Sequence, residues 1–484
     1  MKPGTRLNRG KIVVCALTFG LLASNLAPGP AAEKDKDPLA EGKELFTREW
    51  LAGDRRSHAG DGLGPLFNAR SCAACHHLGG IGGAGADTTI ITVSVMLATD
   101  KETHKAYEQP NRDKLAEQIH PALRTRNSFP LHRYSTEKEF LRWRVQVFVD
   151  PYFRTEDSEA WASLEYLHRF SFGQWVDKSF VELVSSERNP PALFGAGLID
   201  RIPAQVLEEV AACQARFAQK SRLAKRPSKN SEDASLPVSG RVARLKDGRI
   251  GRFGWKAQTA TLREFTLLSC AVEIGLEVPG YSQASPPWKP DYKAPGLDLS
   301  VDQCDWLVKF LASLPPPQHK PPETALHAAE IDVGQKLFER IGCAICHQPK
   351  LGDVEGIYSD LLLHDMGKRL SDDGVYGEST LARDGDKDHI DPLRLSERSG
   401  SEEVEKQPKF GASSREWRTL PLWGVRDSAP YLHDGRAEAI SSAIMLHGGE
   451  GLESARQFRR MPLRERQQLE LFLQSLGVPT EKPE

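Results

Sequence analysis

The sequence predicts a mainly α fold of two similar halves in tandem, the first enlarged by an insertion with some β. Three observations predict it. A short pattern occurs twice, as Gly42-Lys43-Glu44-Leu45-Phe46 and Gly334-Gln335-Lys336-Leu337-Phe338, and a second pair, Phe310-Leu311-Ala312-Ser313-Leu314 and Phe472-Leu473-Gln474-Ser475-Leu476, closes each half. Each early copy precedes a Cys-x-x-Cys-His motif, Cys72-Ala73-Ala74-Cys75-His76 or Cys343-Ala344-Ile345-Cys346-His347. Between the halves lies Pro315-Pro316-Pro317-Gln318-His319-Lys320-Pro321-Pro322, a stiff extended linker by composition.

Cys-x-x-Cys-His is the covalent attachment pattern of c-type haem. Each thiol adds to one vinyl group, and the adjacent His binds iron from the proximal side. Cys72, Cys75 and His76 are therefore expected to hold one haem, and Cys343, Cys346 and His347 a second. Zinc is the bland alternative, but its Cys pairs usually lie within roughly 20 residues of each other. A disulfide within each pair is another alternative. A helix entering the haem motif and a helix closing the half is the cytochrome c plan. The expected division is a signal peptide over 1–32, a cytochrome c-like haem domain over 33–314 with an insertion at about 85–185, the linker 315–322, and a second cytochrome c-like domain over 323–484.

At the N-terminus, Lys2, Arg6, Arg9 and Lys11 precede an uncharged apolar run, Ile12 to Ala27, and then small residues and prolines. This reads as an export signal, with an uncleaved anchor as the alternative. Export to the periplasm fits c-type haem, which is attached outside the cytoplasm. Cys15 precedes most of the apolar run, which argues against lipidation. Within the insertion, Thr88 to Leu97 and Arg142 to Val149 read as strands. Gln219 to Gly240 and residues 371–409 read as polar loops, the second a solvated surface. Ser300-Val301-Asp302-Gln303 is a capping box opening the helix that ends at Leu314. Glu323 to Arg340 reads as a helix with Val333, Leu337 and Ile341 on its apolar side. Ala437 to Leu446 reads as another, and Leu463 to Leu476 as the last.

The chain has 484 residues with 64 basic and 66 acidic side chains, a balance with no nucleic-acid footprint. No membrane span is expected in the mature chain. Of eight cysteines, the haem motifs use four. Cys213, Cys270 and Cys304 remain besides Cys15, and the last two sit on apolar helical faces as small hydrophobes.

Several stretches carry a family resemblance. They are Asp61-Gly62-Leu63-Gly64-Pro65-Leu66-Phe67-Asn68, Pro191 to Leu198, Gly251-Arg252-Phe253-Gly254-Trp255-Lys256-Ala257, Leu363-His364-Asp365-Met366-Gly367, Trp417 to Gly424, and Ala429-Pro430-Tyr431-Leu432-His433-Asp434-Gly435-Arg436. Together they resemble the di-haem c-type oxidoreductases, often labelled "thiol oxidoreductases". The last stretch is also similar to one in bacterial di-haem cytochrome c peroxidases. The resemblance implies redox chemistry at two haems. In those peroxidases an axial Met follows the His of His-Asp-Gly by fourteen residues, a position that counts from His433 to His447 here. His447 is accordingly the expected second ligand of the second iron, with Met445, Met461, His364 and Met366 as competitors. A bis-His iron has a lower potential than a His/Met iron.

For the first iron, the repeat aligns Leu262 with Ile440, which sets Trp255 against His433 and Ser269 against His447. Ser269 is not a normal haem ligand, so this iron is expected to keep an open, reactive face. The alternative is a ligand from the insertion, among His104, His120, His132 and His168. Trp255 is a core residue or an electron relay, Glu264 an acid–base candidate or a solvated carboxylate, and His433 a hydrogen-bonding neighbour of the haem. The expected function is electron transfer between two haems, as an oxidoreductase of the peroxidase type acting on peroxide or another small oxidant and served by a redox partner protein. The alternatives are a two-haem carrier with no substrate, or a redox enzyme acting on a partner protein.

Overall fold

A computed structural model describes residues 36–103, 105–119, 128–140, 171–176, 179–224, 236–286, 288–289, 291–317, 322–372, 374, 376 and 410–477. The described residues from Pro38 onward form one compact unit. The expected signal peptide, the strand at Arg142 to Val149, and His104, His120 and His168 lie outside the described residues. No helix among the described residues is long and apolar enough to cross a membrane.

The helices are α1 (Pro38–Thr47), α2 (Cys72–Cys75), α3 (Gln109–Ile119), α4 (Ala196–Arg201), α5 (Ala204–Ala224), α6 (Leu262–Ser269), α7 (Val301–Ser313), α8 (Ala325–Arg340), α9 (Ile440–Leu446), α10 (Leu452–Arg460) and α11 (Leu463–Ser475). Sheets accompany them, so the chain is mixed rather than mainly α. The largest sheet is antiparallel, in the order Ser128–Phe129, Thr89–Asp100, Ser179–Arg188, Ser171–Val176. It is the β content expected of the insertion. Its hairpin partner, Ser179–Arg188, alternates buried Val181 and Leu183 with less buried neighbours, as a half-buried strand should.

The repeat becomes the same helix crossing made twice. α1 packs on α7, and α8 packs on α11. Phe46 meets Phe310 with ring centroids 5.4 Å apart and planes at 53°, and Phe338 meets Phe472 at 5.4 Å and 59°. A small residue is needed where the backbones touch. A Cβ on Gly42 would land on the Trp306 carbonyl oxygen, and one on Gly334 on the Gln468 carbonyl oxygen. This reverses an ordinary sign. In an unpacked helix Gly→Ala stabilises by about 1 kcal/mol, whereas here Gly42→Ala and Gly334→Ala should each cost about 1–3 kcal/mol as the helices are pushed apart. Thermal unfolding of the two variants reads the sign directly.

Local signals place the helix ends. Ser300 and Gln303 form the expected capping box of α7, and Thr261 with Glu264 forms another on α6. α8 starts after its N-cap Thr324. Three expectations change. Val333 is exposed, and the buried face of α8 carries Gly334, Leu337 and Phe338, with Ile341 beyond it. The loop expected from Gln219 is helical as far as Ala224, because α5 continues through it. In the supposedly solvated stretch after 371, Asp372 and Tyr376 are buried.

Candidate haem centres

Both Cys-x-x-Cys-His motifs follow helices that the repeat aligns. Ser71 caps α2, its hydroxyl accepting from the Ala74 N–H, so that Cys72 and Cys75 lie one turn apart. In the second motif Gly342, at φ 89°, turns the chain out of α8 into a 3₁₀ turn over Cys343–Ile345. The His76 and His347 amides donate to the Cys72 and Cys343 carbonyls at 3.0 and 2.9 Å. Nδ1 of His76 lies 3.1 Å from the Gly83 carbonyl, and Nδ1 of His347 lies 3.0 Å from that of Tyr358. A carbonyl only accepts, so each Nδ1 carries the proton and each Nε2 keeps the lone pair an iron requires. Burial lowers both imidazole pKa values to about 4, so both rings are neutral at pH 7. The four motif cysteines are not bridged, and burial pushes the Cys72 and Cys343 thiols up to about 12.

A largely apolar cavity adjoins the first motif. His76, Cys72 and Cys75 line it, as do Phe265, Ser269 and Glu273 from α6 and the π-helical turn Cys270–Ile274 that follows. Trp255, Arg188 and Tyr376 complete its walls. Two thiols and an imidazole with an available nitrogen on an apolar wall fit a haem. Among the described residues, the one cluster of metal-type ligands is Cys346, Asp360 and His364. The two Cys pairs therefore do not converge on a four-thiolate zinc site.

Among the described residues lining this cavity, His76 is the only histidine and there is no methionine. His132 is elsewhere, buried with Nε2 3.1 Å from the Val272 carbonyl. Glu264 does not reach the cavity. Its carboxylate accepts from the Ala260 and Thr261 amides at 3.2 and 3.1 Å and pairs with Arg249 at 2.6 Å, which commits it to capping α6. Glu273 takes the place expected of it. Burial raises the Glu273 pKa, against the opposing effect of Asn68, whose Nδ2 donates to Oε2 at 2.7 Å. The sequence signal was a single carboxylate within the apolar run Leu267 to Ile274.

In the second half, His447 caps the C-terminus of α9. Its Nδ1 lies 2.8 Å from the Ala443 carbonyl, which leaves the lone pair on Nε2. It is half-buried, desolvation lowers its pKa, and it lies close enough to disfavour a charge on His347. Three of the competitors are engaged otherwise, and the fourth, Met366, lies beside His447, both side chains bordering Gly451. Met445 is exposed and Met461 packs in the core under α11. His364 is held between two carboxylates, with Nε2 2.9 Å from Asp360 and Nδ1 2.7 Å from Glu450.

Trp255 and His433, which the repeat aligns with each other, are also in contact, with ring centroids 6.3 Å apart. Trp255 donates its indole N–H to the Asn189 carbonyl at 2.8 Å. His433 stacks on Trp417 at 3.7 Å, and Trp417 meets Trp255 edge-on at 6.4 Å. Burial lowers the His433 pKa to about 3, and its Nε2 has no hydrogen-bond partner. Asn189 joins these pieces, its amide N–H donating to the His433 carbonyl at 2.6 Å and its side chain to that of Pro430. Neither Asn189 nor Arg188 stood out in the sequence.

Residues 186–476, more than half of the chain, match the family model described as "Di-haem oxidoreductase, putative peroxidase". The chain belongs to the di-haem oxidoreductase family. The matched span contains the second haem motif, while the first lies before it. Among solved structures, this di-haem oxidoreductase is similar to hydrazine synthase of Kuenenia stuttgartiensis, at 22% identity over 39% of this chain and a TM-score of 0.24. It spans 59% of that chain's length. It is also similar to a MauG-like protein associated with microbial copper homeostasis, at 14% identity over 58% of this chain and 90% of that one, with a TM-score of 0.26. Both overlaps are too loose to bear on function. No curated protein matches the chain.

Proposed function

We propose that this di-haem oxidoreductase is an exported c-type cytochrome of the peroxidase type, with two cytochrome c-like haem domains. Electrons from a redox partner protein enter at the second site and pass to the first, where peroxide or another small oxidant is reduced. The observation that carries this reading is the asymmetry of the two sites. The second offers two imidazoles, His347 and His447, each with its Nε2 lone pair available, whereas His76 is the only histidine among the described residues that line the first. Haem bound at these sites would supply redox-active iron, closed by two strong ligands at one site and open to a small ligand at the other.

The chain's own residues supply the rest. Glu273, half-buried on the cavity wall with its pKa raised by desolvation, is suited to hold and return a proton there. Arg188, on the same wall, is held in a buried ion pair with Asp372 and so fixes the wall without adding a net charge to it. Trp255 is the better of the two tryptophans to carry an electron hole. Trp417 has Lys256 Nζ 3.9 Å from its ring centroid, and that cation opposes a positive charge on the ring. Trp255 instead donates its N–H to a carbonyl, which favours one. Trp255→Phe should therefore slow electron transfer between the sites by about tenfold, equivalent to ~1.4 kcal/mol of barrier, and Trp417→Phe should leave it nearly unchanged. Stopped-flow reoxidation of the reduced protein compares them.

Low-temperature EPR of the oxidised and half-reduced protein tests the whole reading. One high-spin ferric signal that persists, with rapid reaction toward peroxide, is expected. Two low-spin signals in both states would leave a two-haem carrier instead. Haem that stays with the chain on denaturing electrophoresis tests the covalent attachment.

A further inference from the structure

We propose that Tyr376, a residue of the second half of the chain, is the hydrogen-bond donor to a small ligand bound on the open face of the first haem site. The inference rests on the reading of that site as open and adds the group that recognises what binds there.

The position follows from the repeat. α6 and α9 begin at the aligned residues Leu262 and Ile440, and Ser269 ends the first as His447 caps the second. Ser269 therefore stands where the second half presents its candidate ligand. The Tyr376 hydroxyl is 3.3 Å from Ser269 Oγ. Its ring packs on Phe265 of α6 with centroids 5.6 Å apart, and the side chain is buried on the cavity wall.

The proton inventory makes Tyr376 a donor. The Ser269 hydroxyl gives its hydrogen to the Phe265 carbonyl at 2.9 Å, so toward Tyr376 it can only accept. Asn68 is fixed by the Arg133 amide, which donates to its Oδ1 at 2.8 Å, and so turns its Nδ2 toward Glu273. Glu273 lines the same wall as the Tyr376 phenol. Burial first, and then the Glu273 carboxylate, raise the phenol pKa well above its ordinary value, so the proton stays on the oxygen. The 3.3 Å contact to Ser269 is long for O–H···O, so an anion bound in the cavity would compete with Ser269 and Glu273 for the phenol proton.

The sheet and Arg188 hold the residue in place. Arg188 ends the strand Ser179–Arg188 and grips Asp372 through Nη1 at 3.0 Å and the Gly374 carbonyl through Nη2 at 2.6 Å. That clamp delivers Tyr376 two residues later. The sheet thus positions a residue from the other half of the chain.

The test uses the full-length ferric di-haem protein and its Tyr376→Phe variant, titrated optically and by EPR with fluoride, a small anion that accepts hydrogen bonds, and with imidazole, a neutral ligand that does not need one. The expected result is a fluoride Kd raised at least about tenfold in the variant, with the imidazole Kd unchanged. The unaltered signal of the second haem shows that the variant is folded. Equal fluoride affinities would overturn the proposal. So would a low-spin first haem that turns high-spin in the variant, which would make Tyr376 an iron ligand. Two low-spin signals unchanged by the substitution would overturn it by another route, since the open-site reading itself would then have failed.

Discussion

A His447→Gly variant is expected to lose the low-spin signal of the second haem and to recover it on adding imidazole. His447 sits at the end of α9, where its Nδ1 is tied to the Ala443 carbonyl and its ring cannot turn without breaking that bond. Two neutral imidazoles, each with the proton on Nδ1, form a matched pair of ligands, and His447 lies past the last helical residue of α9. The predicted loss is therefore one of ligation rather than of fold. His447→Met should keep a low-spin iron and raise its potential by on the order of 0.1 V. If the glycine variant retains the wild-type spectrum, His447 is not the ligand. Spectroelectrochemistry of the two variants separates these cases.

Replacing His364 by leucine should cost about 3–5 kcal/mol, the usual penalty for leaving buried charges without their partner. Both ring nitrogens of His364 face carboxylates, so both must donate and the ring is an imidazolium. Burial opposes that charge, but the Asp360 carboxylate beside the ring raises its pKa above the ordinary value. The surrounding bonds tie distant stretches together. Gln214 of α5 donates to Asp360 at 2.8 Å and to the Ile345 carbonyl, within the second haem motif, at 3.0 Å. The Ser239 amide donates to Glu450 at 2.9 Å. Leucine would leave Asp360 and Glu450 facing each other without a cation. The raised pKa also fixes the sign of the pH dependence. The stabilisation is complete below the unfolded imidazole's pKa of about 6.5, declines as pH rises from there, and is gone once pH passes the raised folded-state value. Denaturant midpoints of both proteins from pH 6 to 9 should show their gap narrowing upward. A gap that widens would mean a neutral ring.

The sequence by itself determined the features written in contiguous residues. The two Cys-x-x-Cys-His motifs, the capping box at Ser300, the helix ending at His447 and the doubled Gly-to-Phe pattern all depend on spacings of a few residues, and local hydrogen bonds decide them. Glu264 was misread for the same reason. A carboxylate three residues after Thr261 is claimed by the helix cap before it can serve a cavity. Tertiary structure decided what fills the first haem pocket. Asp372 looked like part of a solvated charged loop and is buried because Arg188 meets it across 184 residues of sequence. Tyr376 reaches Ser269 across 107, and Asn68 reaches Glu273 across 205. A buried polar group is tolerable only with its partner in place. When the partner comes from a distant stretch, no local pattern announces either one.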